Sequence, residues 1–518
     1  MMTSQIKNIV IVGGGTAGWI TAGTIAASLK QKVNSGFTIT LIESPSAPSI
    51  GVGEGTWPTM RNTLKNMGIK ETDFIRQCHV SFKQGAKFAK WVTGKNDDFY
   101  YHPLVLPQGH DEIDLTPHWL TSNTKQSFAQ AVCPQEAICE LGLAPKKITT
   151  AEYAAQANYA YHLDAKSFSE FLKNHCVTKL GVKHIVDDVT LVNSAVNDDI
   201  ASVSTKSNGP ITGDLFIDCT GFSSLLLGQH FKIPFISCDD TLFTNQAIAV
   251  QVPYEQEDSP IQSHTLSTAQ SAGWIWDIGL SSRRGVGSVY SSNHISEDQA
   301  HQELLNYLKT TVNEPEKLSF RSIPIKAGHR ERFWEKNCVA IGLSAGFLEP
   351  LEASAILLIE ISAQMIADQL PSNRFTMDII AKRYNETFTY RWQRIIDFLK
   401  LHYTLSKRTD SQFWLDHQNP ETISERLKEQ LNLWQYQFPT DNDFEQSLEI
   451  FPAASYQYIL YGMGFKTEPN HLGFSASSIK NAQQHFQKNM MKSKTLTSSL
   501  TSNRELLNKI KRYGLQSV

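Results

Sequence analysis

The chain has 518 residues, 41% of them hydrophobic and 19% charged, enough to bury a large core in two or three structural units. A formal net charge of −3 leaves no basic excess for a nucleic-acid footprint, and no long like-charge block marks a membrane-surface arm. Seven scattered cysteines without metal-pair spacing predict neither a disulfide framework nor a metal site, and read as buried thiols in a reducing compartment. The residues before Asn8 carry no long apolar region or cleavage pattern, and no run of about 18 apolar residues occurs, so the expected location is cytoplasmic, away from membranes.

Asn8-Ile9-Val10-Ile11-Val12 is a continuous apolar run suited to a strand covered on both faces. It leads into Gly13-Gly14-Gly15-Thr16-Ala17-Gly18, then into helix-spaced apolar residues over 19–27 and a second strand over 37–42 that stops at Glu43. In Gly13-x-Gly15-x-x-Gly18 the first glycine permits a tight turn, the second admits a pyrophosphate to the backbone, and the third lets helix pack on strand. The free N–H groups at the helix start, Thr16 and Ala17 among them, then face phosphates. Glu43 is placed either to accept ribose hydroxyls or to stand as a solvated strand end.

The next loop, Ile50-Gly51-Val52-Gly53-Glu54-Gly55-Thr56-Trp57-Pro58, is too glycine-rich for regular structure. Its backbone is expected to approach a ligand, which makes Gly51, Val52, Gly53 and Glu54 candidate cofactor contacts. Residues 96–149 read as a polar, irregular insertion, and helix and strands return over 150–235, ending in Asp214-Leu215-Phe216-Ile217-Asp218. Short alternating runs over 236–330 suggest an antiparallel sheet that carries Gly273-Trp274-Ile275-Trp276-Asp277-Ile278-Gly279. In an extended chain Trp274, Trp276 and Ile278 share one face, either as core filling or as a flat wall controlling access to a cofactor. A buried strand over 338–342 precedes a helix over 352–369, residues 371–518 read as mainly helical, and the Ser/Thr/Lys-rich tail from Lys492 reads as loose.

Two later strand-to-loop elements, Asp218-Cys219-Thr220-Gly221 and Gly342-Leu343-Ser344-Ala345-Gly346-Phe347, suit the far end of a cofactor longer than a nicotinamide dinucleotide. With the glycine loop they resemble the three-part FAD site of aromatic-hydroxylase-like flavoproteins, adding Asp218, Gly342 and Leu343 to the cofactor contacts. The expected fold is therefore α/β: a discontinuous, Rossmann-like FAD-binding module over 1–95, 150–235 and 331–370, the insertion at 96–149 near the substrate, the sheet of 236–330, and a helical substrate-side module over 371–518.

Along nearly its whole length the chain also resembles the flavin-dependent tryptophan halogenases. The matching segments are the glycine loop, Gly51-Val52-Gly53-Glu54-Gly55, Ser81-Phe82-Lys83-Gln84-Gly85, the Trp-x-Trp-x-Ile stretch, Phe347-Leu348-Glu349-Pro350-Leu351-Glu352, and Asp397-Phe398-Leu399-x-Leu401-His402-Tyr403. The resemblance implies FADH2 from a separate flavin reductase, O2, and chloride or bromide that a flavin hydroperoxide oxidises to hypohalous acid. The acid passes to a lysine, matched here by Lys83, which forms a haloamine or hydrogen-bonds the acid and directs it at an arene. A lysine taken alone is a solvated surface group, so Lys83 stands out only through its neighbours.

Glu352 matches the glutamate that stabilises the cationic arene and assists proton loss, although a first-turn helix glutamate has a plain dipole role too. The halide-binding amides fall on Ser354 and Ala355. The tryptophan wall is implied to keep organic substrates from the flavin, and Gly279 replaces the family's usual proline, loosening the turn. In the substrate pocket His102 is kept, Leu104 replaces a phenylalanine, Phe451 lies in the second aromatic region, and Gln446 stands where a carboxylate would hold an amino-acid ammonium. Taken by itself, His102 reads equally as an exposed histidine. An indole, a phenol or a larger indole-bearing molecule is expected rather than free tryptophan, with a homodimer allowed and nucleic acid and membrane not expected. An NAD(P)H-coupled FAD aromatic hydroxylase and a non-catalytic flavin-binding sensor are the alternatives.

Overall fold

The computed structural model describes residues 5–30, 36–46, 53–445, 449–468 and 474–517. The expected contacts Gly51 and Val52, and Gln446, lie outside the described residues. The chain divides into two compact units, one drawn from Met1–His79, Leu163–Cys238 and Lys326–Trp392, the other from Val80–His162, Asp239–Ile325 and Gln393–Val518.

In the first unit the apolar strand Asn8–Val12 lies inside a six-stranded sheet, with Val10 opposite Thr40 on one side and opposite Phe216 on the other, both in parallel register. Cys338–Ala340 runs parallel to Leu215–Asp218, Lys183–Val186 runs parallel to Thr38–Glu43, and the short strand Trp334–Glu335 closes one edge antiparallel. The loops after Val12, Asp218 and Ala340 therefore leave three adjacent parallel strands at their carboxyl ends, where open α/β sheets bind ligands. Helix Thr16–Lys30 is buried from Gly18 through Ala27, consistent with its all-apolar and small-residue face. Helix Ala165–Lys179 starts at Asp164, whose carboxylate accepts from Ser167 N–H at 2.9 Å.

The second unit is built on a seven-stranded sheet in the order Phe320–Pro324, Gln246–Pro253, Arg283–Tyr290, Gly273–Gly279, Thr265–Gln270, Gly85–Ala89, Phe99–Pro103. The strands of this sheet within 236–330 pair antiparallel, and the sheet extends beyond them through Gly85–Ala89, which runs parallel to Thr265–Gln270. Hairpin-linked neighbours must be antiparallel, whereas Gly85–Ala89 enters from a distant segment and its direction is free of that constraint. Strand Gly273–Gly279 is buried on both faces rather than alternating. Ile275 packs with Leu304 and Leu308 of helix Glu297–Leu308, and buried Asp277 accepts from Arg284 Nε at 3.1 Å and Tyr307 OH at 2.8 Å. The Trp274 and Trp276 rings lie 6.4 Å apart at 65°, a ridge rather than a flat wall.

The tail beyond Lys492, expected to be loose, is ordered instead: it completes helix Ala476–Ser499 and forms helix Asn503–Tyr513. Ser502 caps the latter by accepting from Glu505 N–H at 3.2 Å, and Leu506, Leu507 and Ile510 are buried along one face. Asn503 brackets the Phe82 peptide, its Nδ2 donating to Phe82 O at 3.0 Å and its Oδ1 accepting from Phe82 N–H at 3.4 Å. Among the described residues no helix is long and apolar enough to cross a membrane.

Gly287, opposite Trp276 in the sheet, leaves room for that indole. A Cβ there would stand 2.2 Å from the Trp276 ring and 2.6 Å from the Ile248 carbonyl oxygen, and the second is backbone that cannot swing away. Gly287→Ala should lower stability by about 1–3 kcal/mol or more, read as a reduced midpoint in denaturant unfolding.

Candidate active site

The cofactor cradle follows from how tightly the backbone turns after Val12. Gly13 has φ +115°, donates its N–H to Ile42 O at 2.8 Å, and a Cβ on it would stand 2.1 Å from Cys219 O. A Cβ on Gly18 would meet Gly13 O at 1.9 Å, so helix and turn touch through glycine. At Gly15, by contrast, a Cβ would meet nothing within 4 Å: the middle glycine borders open space, as a pyrophosphate site requires. Thr16 and Ala17 begin a helix with no acidic residue in its first turn, so its N–H groups are left for an anion. A dinucleotide with a negative bridge fits these residues.

The third segment reaches the same helix start, because a Cβ on Gly342, itself at φ +73°, would lie 2.8 Å from Ala17 Cβ; half-buried Leu343 follows it. Asp218 is buried and spends its carboxylate on the chain: Oδ1 accepts from Thr220 N–H and Oγ1 at 3.0 and 2.6 Å, and Oδ2 from Leu226 and Leu227 N–H, both at 2.8 Å. It shapes the loop rather than presenting its side chain. Glu43 Oε2 lies 2.7 Å from His184 Nε2 and 3.8 Å from Lys173 Nζ, so it is a paired strand end. Gly53 and Glu54 lie in strand Gly53–Gly55; burial, reinforced by the Asp164 carboxylate, pushes the Glu54 carboxyl up to about 7.

Glu352 is buried and precedes the helix instead of lying in its first turn, since Ser354–Asp368 begins after Ala353. Ala353 has the left-handed φ of +54° and offers no side-chain cap, and the first turn holds no acidic residue. The amides of buried Ser354 and exposed Ala355 thus open an N-terminus that the side chain of its own N-cap residue does not cap. Trp57 Nε1 donates to Glu352 O at 2.9 Å. Two turns along the same helix, buried Glu360 accepts from Thr59 Oγ1 at 3.2 Å and Thr63 Oγ1 at 2.5 Å. Thr59 and Thr63 therefore hold the helix at Glu360, and Trp57 holds the residue that leads into it. None of these residues carried a signal beyond the Trp57-Pro58 punctuation of the loop.

In the second unit Lys83 is only 3% exposed, on strand Ser81–Lys83 paired antiparallel with 160–162. Ser81 Oγ donates a short hydrogen bond to Gly279 O at the end of the tryptophan strand. Gly279 remains in the strand, opposite Arg284, and does not open a looser turn. His102 is buried, not exposed, with Nε2 3.0 Å from Ser455 Oγ, and its ring lies 5.7 Å from Phe398 and 6.3 Å from Phe451. Phe451 stacks on Phe398 at 3.7 Å and 12°, so His102 and Phe451 share one aromatic cluster. Leu104 is buried and its carbonyl accepts from Asn158 Nδ2. Trp274, Trp276 and Ile278 are buried in their strand.

Burial raises Glu360 from the usual carboxylate range to about 8, and its two threonine donors moderate the rise. A carboxyl whose folded pKa lies above its unfolded value holds a proton that the unfolded chain has lost, so stability falls as pH rises from about 4.5 toward 8. Glu360→Gln should remove this component, and its melting temperature relative to the parent should climb between pH 5 and 8. Glu54 leaves a smaller residual slope over the same range.

The tryptophan halogenase family profile matches residues 8–477. The chain is 32% identical over 539 residues to the tryptophan 6-halogenase ThaL of Streptomyces albogriseolus, covering 98% of this chain and 99% of that protein. It is similar to the crystal structure of a tryptophan halogenase from Shewanella frigidimarina, at 50% identity, TM-score 0.97 and full coverage of both chains. It is also similar to a tryptophan C-6 flavin-dependent halogenase (chlorinase) from taromycin biosynthesis, at 32% identity and TM-score 0.90, over 98% of this chain and 100% of that one. These relatives fit the halogenase reading and not the hydroxylase or sensor. The α/β, FAD-binding Rossmann-like architecture is theirs as well, and the chain belongs to the tryptophan halogenase family of enzymes.

Proposed function

We propose that this protein is an FADH2-dependent halogenase acting on an electron-rich arene of the indole type, supplied with reduced flavin by a separate reductase. The observation that carries the reading is a pair of features: an uncapped helix N-terminus directly after a buried glutamate, and a buried lysine on a short strand. The glycine cradle, with open space at Gly15 and acid-free helix start, would hold the FAD pyrophosphate, and the loops of Asp218 and Gly342 would border the rest. Bound reduced FAD, with O2, supplies the two-electron oxidation of chloride or bromide to hypohalous acid.

The amides of Ser354 and Ala355 bind the halide, since a helix N-terminus without an N-cap side chain favours an anion by electrostatics and by its N–H groups. Lys83 captures the hypohalous acid; out of water, its charge or lone pair acts with little competition from solvent. Glu352 offsets the positive charge of the arene intermediate and accepts the proton that leaves the ring. The family resemblance assigns the tryptophan pair the role of keeping arenes from the oxidant, and the His102, Phe398 and Phe451 cluster would border an aromatic substrate. Leu104 in place of a phenylalanine gives a site less committed to sandwiching a small indole, which favours larger indole-bearing substrates over free tryptophan.

Purified protein with a flavin reductase, FAD, bromide and a panel of indoles should give brominated product by mass; hydroxylated product, or none from any arene, would overturn the reading. Lys83→Ala should cut brominated product by about 10²-fold or more while flavin oxidation stays within about twofold. Unchanged product would remove Lys83 from the chemistry. Glu352→Gln should slow bromination by about 10²-fold with FAD affinity retained in a fluorescence titration. Loss of FAD binding instead would make Glu352 a structural residue.

A further inference from the structure

His162 lies directly opposite Ser81 in the antiparallel ladder, one pair from Lys83 opposite Ala160. Residues two apart on a strand share a face, so Ser81, Lys83, Ala160 and His162 lie on one side of this ladder, while Phe82 and Tyr161 turn to the other. A diagonal neighbour on such a face lies within reach of a long side chain. The His162 side chain is fully buried; its Nε2 is 2.8 Å from Thr265 Oγ1, and its Nδ1 meets no hydrogen-bond partner among the described residues. A buried ring nitrogen without a partner forgoes the hydrogen bond it would have made to water, and so calls for an explanation.

We propose that His162 is a positioning residue for Lys83, a neutral imidazole whose Nε2–H donates to Thr265 Oγ1 while the Nδ1 lone pair receives a hydrogen bond from the lysine Nζ and fixes where it points. The inference rests on the halogenase reading of Lys83 given above. The charged and titratable groups around the ring agree with it: burial first, then the positive charge of Lys83, hold His162 well below its usual pKa. His264 is itself pushed down to about 4, chiefly by burial and then by Lys87, so it stays neutral as well. A neutral acceptor steadies an ammonium that a second cation would repel. An aimed Nζ keeps hypohalous acid from diffusing away before the arene is attacked.

The two amide substitutions of His162 separate this role from simple packing, because an asparagine amide overlays Nδ1 and a glutamine amide overlays Nε2. The holoenzyme with reductase, bromide and an indole is assayed for brominated product per flavin oxidised, with a soluble 1,3-diketone trapping escaped hypobromous acid. His162→Gln should keep the Thr265 bond, lose product by about tenfold and release correspondingly more acid to the trap; His162→Asn should recover to within about threefold of the parent. Flavin oxidation should be unchanged in both. Parent-level product from His162→Gln, or an equal fall of both variants together with a lowered melting temperature, would overturn the role. Lys83→Ala run alongside distinguishes the failures: if it still brominates, the reading of Lys83 fails, whereas if it does not and His162→Gln does, only the histidine's role fails.

Discussion

A cation removed from water must be compensated where it sits, and the strand Ser81–Lys83 is arranged around that requirement. Its lysine is almost completely enclosed, and the histidine on the same ladder face is held uncharged by burial and by the lysine itself. The strand's backbone is pinned by Asn503, and its first residue is tied to the end of the tryptophan strand. A long side chain confined in this way loses rotamer freedom once, on folding, and need not lose it again at each turnover.

The other unit solves the opposite problem of leaving positive potential unspent. Two of its helices, Thr16–Lys30 and Ser354–Asp368, start without an acidic first turn, and the second starts from a left-handed alanine that cannot fold a side chain back over the amides. A serine, threonine or aspartate cap would have satisfied those amides internally. Hydrogen bonds that do hold this segment come from Trp57 to the Glu352 carbonyl before the helix and from Thr59 and Thr63 to Glu360 within it.

The cradle was legible because its demands are local: Gly13 needs a positive φ, Gly18 must touch a carbonyl, and both requirements are written in residue type at fixed spacing. The tryptophan strand was legible as a strand but not as one buried on both faces, because the cover on its Ile275 side comes from helix Glu297–Leu308. Parallel pairing of Gly85–Ala89 escaped detection for the same reason, since no hairpin announces it. Composition misled at the tail, where Ser, Thr and Lys outnumber the apolar trio Leu506, Leu507 and Ile510 that fixes the last helix. Lys83 could be noticed only through its Ser-Phe-Lys setting, and His162 not at all, because a lone histidine inside an apolar strand has no pattern of its own.

The bracket on Phe82 spans a sequence separation of 421 residues. On the ribosome the strand Ser81–Lys83 must therefore wait, one peptide edge unpaired, until the segment around Asn503 has emerged. Folding of this half is thus completed late, and a chain stalled before that point would leave the Phe82 peptide to water.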